Sequence, residues 1–226
     1  MKATEPTTPA GGATEDRRRR KARRTRNALA AAALELILER GLAATTVEAI
    51  AERADVTRRT FSRYFAGKED AALDFVRGDG DRINELLRAR PAAEPPLLAY
   101  RRAVTDWLAD RENPAWHVRP QVRGLLALVD TEPALFAAYE RIRVDAQEES
   151  VRILAGRLGT EDARDPRPAV VVDAAAGVLS AALRIWARAA GAPDSGAGDL
   201  AALVEQAYDA LTEEATSAAA HLETDE

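Results

Sequence analysis

The sequence predicts an all-α fold. Apolar residues recur at three- and four-residue spacing through most of the chain, and no stretch alternates with the period of a strand. Pro114, Pro133 and Pro168 fall near the starts of periodic segments, where a missing N–H costs little.

The elements follow in order. Residues 1–22 form a low-complexity and then basic tail, expected to be disordered. A first helix is expected from about Arg24 to Arg40, with Leu29, Ala33, Leu36 and Ile37 facing inward and Gly41 as its C-cap. Residues 45–69, TTVEAIAERADVTRRTFSRYFAGKE, then read as two short amphipathic helices joined by a tight turn. Val47, Ile50, Ala51 and Ala54 share one face of the first, and Thr45 with Glu48 reads as its capping box. Asp55 and Val56 make the turn, Val56 as a buried plug, and Thr57 caps the second helix. Phe61 and Phe65 are its inner face, which leaves Arg58, Arg59, Thr60, Ser62 and Arg63 on or near the outside.

A helix-turn-helix of this kind lays its second helix in a major groove, where arginine pairs with guanine and threonine touches a thymine methyl. The alternative is two core helices with a solvated charged face.

A further helix starts near Lys68, with Glu69 and Asp70 favouring its positive end. Gly78-Asp79-Gly80-Asp81 is expected to bend or interrupt it. That stretch lacks the ligand spacing of a calcium loop. Beyond a turn at 91–96, helices are expected over 97–110, 114–129, 132–158, 167–190 and 199–216, with Thr131 capping the third of these. Leu135, Tyr139, Ile142, Ala146 and Ile153 form its apolar stripe. The loop GAPDSGAG at 191–198 follows no strand and does not read as a phosphate cradle.

Composition narrows the function. The 226 residues hold no cysteine and only His117 and His221, which excludes disulfides and thiolate metal sites and leaves no basis for a histidine cluster. No metal, cofactor or catalytic set is expected, and a cytoplasmic protein fits best. The Arg-rich run and apolar segment at 17–38 imitate a signal peptide, but Glu35 interrupts the apolar part. The apolar stretch 169–183 contains Asp173 and is shorter than the roughly 20 residues that span a membrane.

Charge is segregated. Residues 17–68 carry fourteen Lys and Arg against five carboxylates, a net +9, whereas the whole chain is −5. A basic head on an acidic body suits a modular duplex binder.

Residues from about Asn27 to Leu73, including LELILERGLAATTVEAIAERADVTRRTFSRYFAGKEDAAL, resemble the DNA-binding block of the tetracycline-repressor (TetR) family of transcriptional regulators. The segments HVRPQVRGLLALVDTEPALFAAYERIR, DPRPAVVVDAAAGVLSAALRIWA and DLAALVEQAYDAL are similar to an actinobacterial branch of that family, the group of the mycofactocin regulator. The resemblance implies a three-helix DNA-binding domain over 23–68, a helical effector-binding and dimerisation domain over 69–216, and a flexible tail over 217–226. It implies a homodimer on a pseudo-palindromic operator and a small hydrophobic or acyl-type effector, acyl-CoA among them. By position, Arg58 and Arg59 match base- or phosphate-contacting sites, Thr46 and Thr57 match phosphate-touching helix starts, and Tyr64 and Lys68 match backbone-holding residues. Ser62 stands where the family usually has Tyr or Phe, and Ala66-Gly67 where Pro-Ser is common.

The body's aromatic residues, Trp107, Trp116, Phe136, Tyr139 and Trp186, either wall an apolar cavity or simply fill the core. Arg119, Arg123 and Arg143 lie in apolar stretches and either snorkel to solvent or pair with an anionic ligand group. Trp107, Trp116, Arg119, Arg123, Tyr139, Arg143 and Trp186 are therefore the candidate effector contacts. In the last two helices the stripe Val170, Val178, Leu179, Leu183 and Trp186 is expected to face a second copy, with Ala174, Ala175, Gly177, Ala181 and Ala182 allowing close approach. The basic arm Arg17–Arg26 is either a solvated tail or an element that binds duplex phosphates. The rival readings are a DNA-binding regulator without an effector and, with no nucleophile–base–acid set in view, a helical enzyme.

Overall fold

The computed structural model describes residues 11–115, 120–160, 164–189 and 200–224, all helices and connections with no strand among them. Compact packing divides the chain after Ala72.

The amino-terminal unit holds α1 (Gly11–Arg40), α2 (Val47–Arg53), α3 (Arg58–Phe61) and α4 (Lys68–Ala72). Helix α1 packs on α2 and α4, and α2 on α3. The core is built from Leu29, Ala33, Leu36 and Ile37 of α1, Ile50 and Ala51 of α2, and Phe61 and Phe65. Gly41 ends the packed part of α1 with φ +84°, donating its N–H to Ile37 O at 2.9 Å. Helix α1 begins at Gly11, well before the expected Arg24, so the basic arm is helical. The arm reads as a tail because it has no apolar period. Its helix rests instead on good helix formers and on i,i+4 pairs, Glu15 with Arg19 and Asp16 with Arg20.

The cap of α2 also differs from expectation. Thr46, not Thr45, accepts from Ala49 N at 3.2 Å. Thr45 is buried, its hydroxyl 2.8 Å from Gly41 O and 3.1 Å from Leu36 O, where it satisfies carbonyls that end α1.

The carboxy-terminal unit holds α5 (Asp74–Ala89), α6 (Pro96–Ala109), α7 (Pro120–Val129), α8 (Pro133–Leu158), α9 (Arg167–Arg188) and α10 (Leu200–Thr224). Helix α5 packs against α6 and α8, while α9 touches α6, α7, α8 and α10. Helix α5 runs unbroken through Gly78–Asp81. The turn-like composition there serves packing: a Cβ on Gly80 would meet Ala146 Cβ at 2.8 Å, so glycine lets α5 and α8 approach closely. The break falls instead at Leu73, between α4 and α5. Thr131 does not cap α8. Its hydroxyl donates to Leu128 O and the N-cap position is Glu132, which makes no side-chain cap bond.

At the far end of α8, Gly159 at φ +63° closes the helix. Arg157 just before it donates to Arg90 O at 2.9 Å and Pro91 O at 2.6 Å, pinning that end to the α5–α6 turn. In the same turn Arg90 holds the Glu94 carboxyl at a pKa of about 2, Arg102 adding a second hydrogen bond. Because that pKa is depressed, the brace contributes stability above the ordinary carboxylate range and loses it as pH falls toward 2.

Helix α9 is long and apolar enough to cross a membrane by those criteria alone; within this unit it lies against four neighbouring helices. The stripe expected to face a second copy is turned inward. Val178, Leu183 and Trp186 are buried within the chain and Leu179 is half-buried, leaving Val170 exposed. The outward face of α9 runs instead through Val170, Ala174, Gly177, Ala181 and Ile185, with Val170 and Ile185 about three-fifths exposed, 62% and 58%. Helix α10 continues past the expected end at residue 216 to Thr224.

Candidate nucleic-acid interface and effector cavity

In the amino-terminal unit, Asp55 takes the left-handed conformation, φ +53°, that reverses the chain between α2 and α3. Aspartate tolerates this geometry better than most residues. Val56 beside it is half-buried rather than a sealed plug. Thr57 accepts from Thr60 N at 3.2 Å and so caps α3, while its hydroxyl lies 3.1 Å from that of Thr60. Helix α3 has only four residues, and a helix that short is not stable by its own hydrogen bonds. Phe61 and Phe65, with ring centroids 5.8 Å apart, hold it down.

Pinned this way, α3 and the turn after it present Arg58, Arg59, Ser62 and Arg63 to solvent. Arg58 pairs with Glu48 at 3.0 Å, Ser62 Oγ donates to Arg58 O, and Arg63 lies over the Tyr64 ring and donates to its hydroxyl at 3.3 Å. Arg59 has no ion-pair partner among the described residues. Its five donors are thus available to a partner, as reading a guanine edge requires.

Lys68 is anchored within the unit. Its ammonium donates to Leu42 O at 2.6 Å and Thr45 O at 2.9 Å, closing the α1–α2 loop from below. Lys68→Met is expected to destabilise this unit by about 1.5–3 kcal/mol, the usual worth of hydrogen bonds to a charged group. It should weaken DNA binding without altering the salt slope. A slope shallower by about 0.9 per protomer, measured by salt titration of duplex affinity, would instead assign Lys68 to a phosphate.

In the carboxy-terminal unit a partly open cavity of about 80 Å³ lies among α5, α6, α8 and α9. Its walls are mostly apolar, with Val76, Ile83, Ile142 and Leu179 alongside Tyr100, Trp107 and Tyr139. Burial pushes the phenols of Tyr100 and Tyr139 above their ordinary value, so both are neutral donors.

Polar groups line one side. Trp107 Nε1 donates to Asp79 Oδ1 at 3.0 Å, and buried Asn84 donates to Ala146 O and accepts from Ser150 Oγ at 2.7 Å. Arg143 donates to Glu140, which raises its pKa, and to Gln147 Oε1 at 3.0 Å. Gln147 Nε2 is buried and has no acceptor among the described residues.

Of the candidate effector contacts, Trp107, Tyr139 and Arg143 thus come together at the cavity. Arg123 and Trp186 do not. Arg123 lies 4.8 Å over the Trp186 ring and donates twice to Trp186 O, so it caps one carbonyl near the end of α9. Phe136 is half-exposed and outside this cavity. Trp116 and Arg119 lie outside the described residues. Asp79, Asn84, Gln147 and Ser150 are not among the effector contacts expected from the sequence. The available signal was that Asn84 and Ser150 are polar residues at inward positions of apolar stripes.

Comparison with known proteins agrees with this architecture. Residues 29–72 match the model of bacterial regulatory proteins of the tetR family, and residues 94–216 match the MftR C-terminal domain. The chain is 36% identical over 204 residues to the HTH-type transcriptional regulator TcmR of Streptomyces glaucescens, covering 87% of each. The chain belongs to the TetR family. As a TetR-family transcriptional regulator it binds DNA through the helix-turn-helix of α2 and α3. Solved structures similar to this TetR-family chain include a transcriptional regulator from Aquifex aeolicus, at 17% identity and TM-score 0.46, covering 83% of this chain and 98% of that one. Another is a protein assigned to the TetR family from Mesorhizobium loti, at 18% identity and TM-score 0.43, covering 84% and 95%.

Proposed function

We propose that the protein is a cytoplasmic, homodimeric repressor whose effector is a compact hydrophobic or acyl-type molecule bound among α5, α6, α8 and α9. One observation carries the effector reading: an apolar, aromatic-walled cavity with a buried donor, Gln147 Nε2, that has no acceptor among the described residues. A buried donor left unpaired costs about 1–3 kcal/mol, which a carbonyl or carboxylate oxygen of a ligand would relieve. At about 80 Å³ the cavity holds a short stretch of acyl chain, so the nucleotide part of an acyl-CoA would lie outside it.

Dimerisation is supported by the outward stripe of α9 and by α10, where Leu211, Ala215, Ala218 and Leu222 share one face and Leu222 is 72% exposed. Two copies joined there would offer two α3 helices to half-sites about 34–36 Å apart on a pseudo-palindrome. In this reading Arg59 reads a base, Arg58, Thr60, Ser62 and Arg63 flank it, and Thr46, Thr57 and Tyr64 touch phosphates. The effector releases the operator by binding the DNA-incompetent state more tightly. Reciprocity then requires the operator to weaken effector binding by the same factor, roughly 5- to 150-fold for a coupling of about 1–3 kcal/mol.

Thermal shift against fatty acids and acyl-CoAs of graded length tests the effector. Stabilisation that disappears in Gln147→Leu supports the cavity. No stabilisation by any member favours a regulator whose body only dimerises or meets another protein.

Arg59→Ala is expected to weaken operator binding by about 1–3 kcal/mol while sparing scrambled duplex. Equal losses on both, by fluorescence anisotropy, would assign Arg59 to the phosphates.

A further inference from the structure

We infer that α1 from Arg17 to Arg26 is a second duplex-binding element, a cationic helical rod that lies along phosphates beside the groove read by α3. The inference rests on DNA binding by the helix-turn-helix and adds a surface outside it.

Every residue from Glu15 to Arg24 is exposed, and from Arg17 on this stretch carries Arg17, Arg18, Arg19, Arg20, Lys21, Arg23 and Arg24 with Ala22 alone uncharged. Nothing in that stretch serves the unit's core, which begins at Leu29. The rod is nonetheless fixed to the reading element. The Arg26 guanidinium lies 4.9 Å over the ring of Phe65, and Phe65 packs on Phe61 of α3. Arg19 and Arg23 share the helical face of Arg26 at i, i+4 and i+7 spacing, while Arg17, Arg20, Lys21 and Arg24 share another. Positive charge therefore leaves the head on more than one side of a rigid helix rooted at the end of the reading segment.

At 1.5 Å per residue, Arg17 to Arg26 spans about 14 Å. That is roughly four phosphate steps along one strand of B-form DNA. The chemistry selects phosphate, not sequence, because arginines on an exposed helix meet any phosphate backbone equally well. Its contribution appears on every duplex and grows as salt is lowered.

The test uses the full chain and a duplex of scrambled sequence, which makes the outcome independent of operator and effector. One variant carries Arg17→Gln, Arg18→Gln, Lys21→Gln, Arg23→Gln and Arg24→Gln. A companion carries Arg17→Lys, Arg18→Lys, Arg23→Lys and Arg24→Lys. Both keep good helix formers and touch no core residue. Affinity is measured by fluorescence anisotropy between about 50 and 200 mM salt. The glutamine variant should show a slope of log affinity against log salt shallower by about 4 per protomer, at about 0.9 for each phosphate released. The lysine variant should keep the slope of the unmodified protein. A glutamine-variant slope within about 0.9 of the unmodified protein would overturn the inference. So would equal loss in both variants, which would make the arm structural, not electrostatic.

Discussion

Phe61→Ala should abolish DNA binding while leaving the carboxy-terminal unit folded. Phe61 is 1% exposed and anchors a helix of four residues. Truncating a buried phenylalanine costs about 3–5 kcal/mol. Even a whole domain is stable by only about 5–15 kcal/mol, so a small unit has little in reserve. Phe65 loses its aromatic neighbour at the same time, and with it the support for the ring on which Arg26 rests. Amide hydrogen exchange reads the result by segment: protection should fall over residues 47–72 and persist in α5, α8 and α9. Unchanged protection over α2 to α4 would show that Phe61 does not hold the reading helix.

The second large effect lies in the other unit. Trp107 is 2% exposed, forms part of the cavity wall, and donates to Asp79. Trp107→Ala removes the indole and one donor to a carboxylate, with an expected loss of about 3–5 kcal/mol of stability. Trp107→Phe keeps most of the ring and isolates the N–H···Asp79 bond, for which about 1.5–3 kcal/mol is expected. Denaturant titration followed by circular dichroism gives both values. If the alanine variant loses no more than the phenylalanine variant, the packing of the indole contributes little. The cavity would then be more pliable than its geometry indicates.

The parts legible in the sequence are those whose signal is local. Gly41 as a helix stop, Thr57 as a cap and Phe61 with Phe65 as an inner face follow from backbone chemistry and a 3.6-residue period, and the structure places them so. What was not legible depends on partners distant in sequence. Gly78–Asp81 has the composition of a turn, but Ala146 on α8 makes Gly80 a point of close helix approach. Arg123 and Arg143 look alike as arginines in apolar stretches. Only the fold sends the first onto Trp186 and the second toward the cavity. Position alone does not reveal that the Lys68 ammonium donates to the Leu42 and Thr45 carbonyls far back in the chain. The stripe expected on the dimer face followed the largest residues of α9. Of those residues Val178, Leu183 and Trp186 fill the unit's own core, whereas Val170 faces out with Ala174, Gly177, Ala181 and Ile185.

The most direct measurement is the ratio of affinities for the duplex upstream of the protein's own coding region and for a scrambled duplex of equal length. It should be made at about 150 mM salt, where exposed electrostatics are substantially screened. A groove-reading α3 predicts at least a thousandfold preference, of the order seen between specific and non-specific sites, shrinking about 5- to 150-fold in Arg59→Ala. Equal affinity for the two duplexes, with no change in the ratio on removing the Arg59 side chain, would contradict the account.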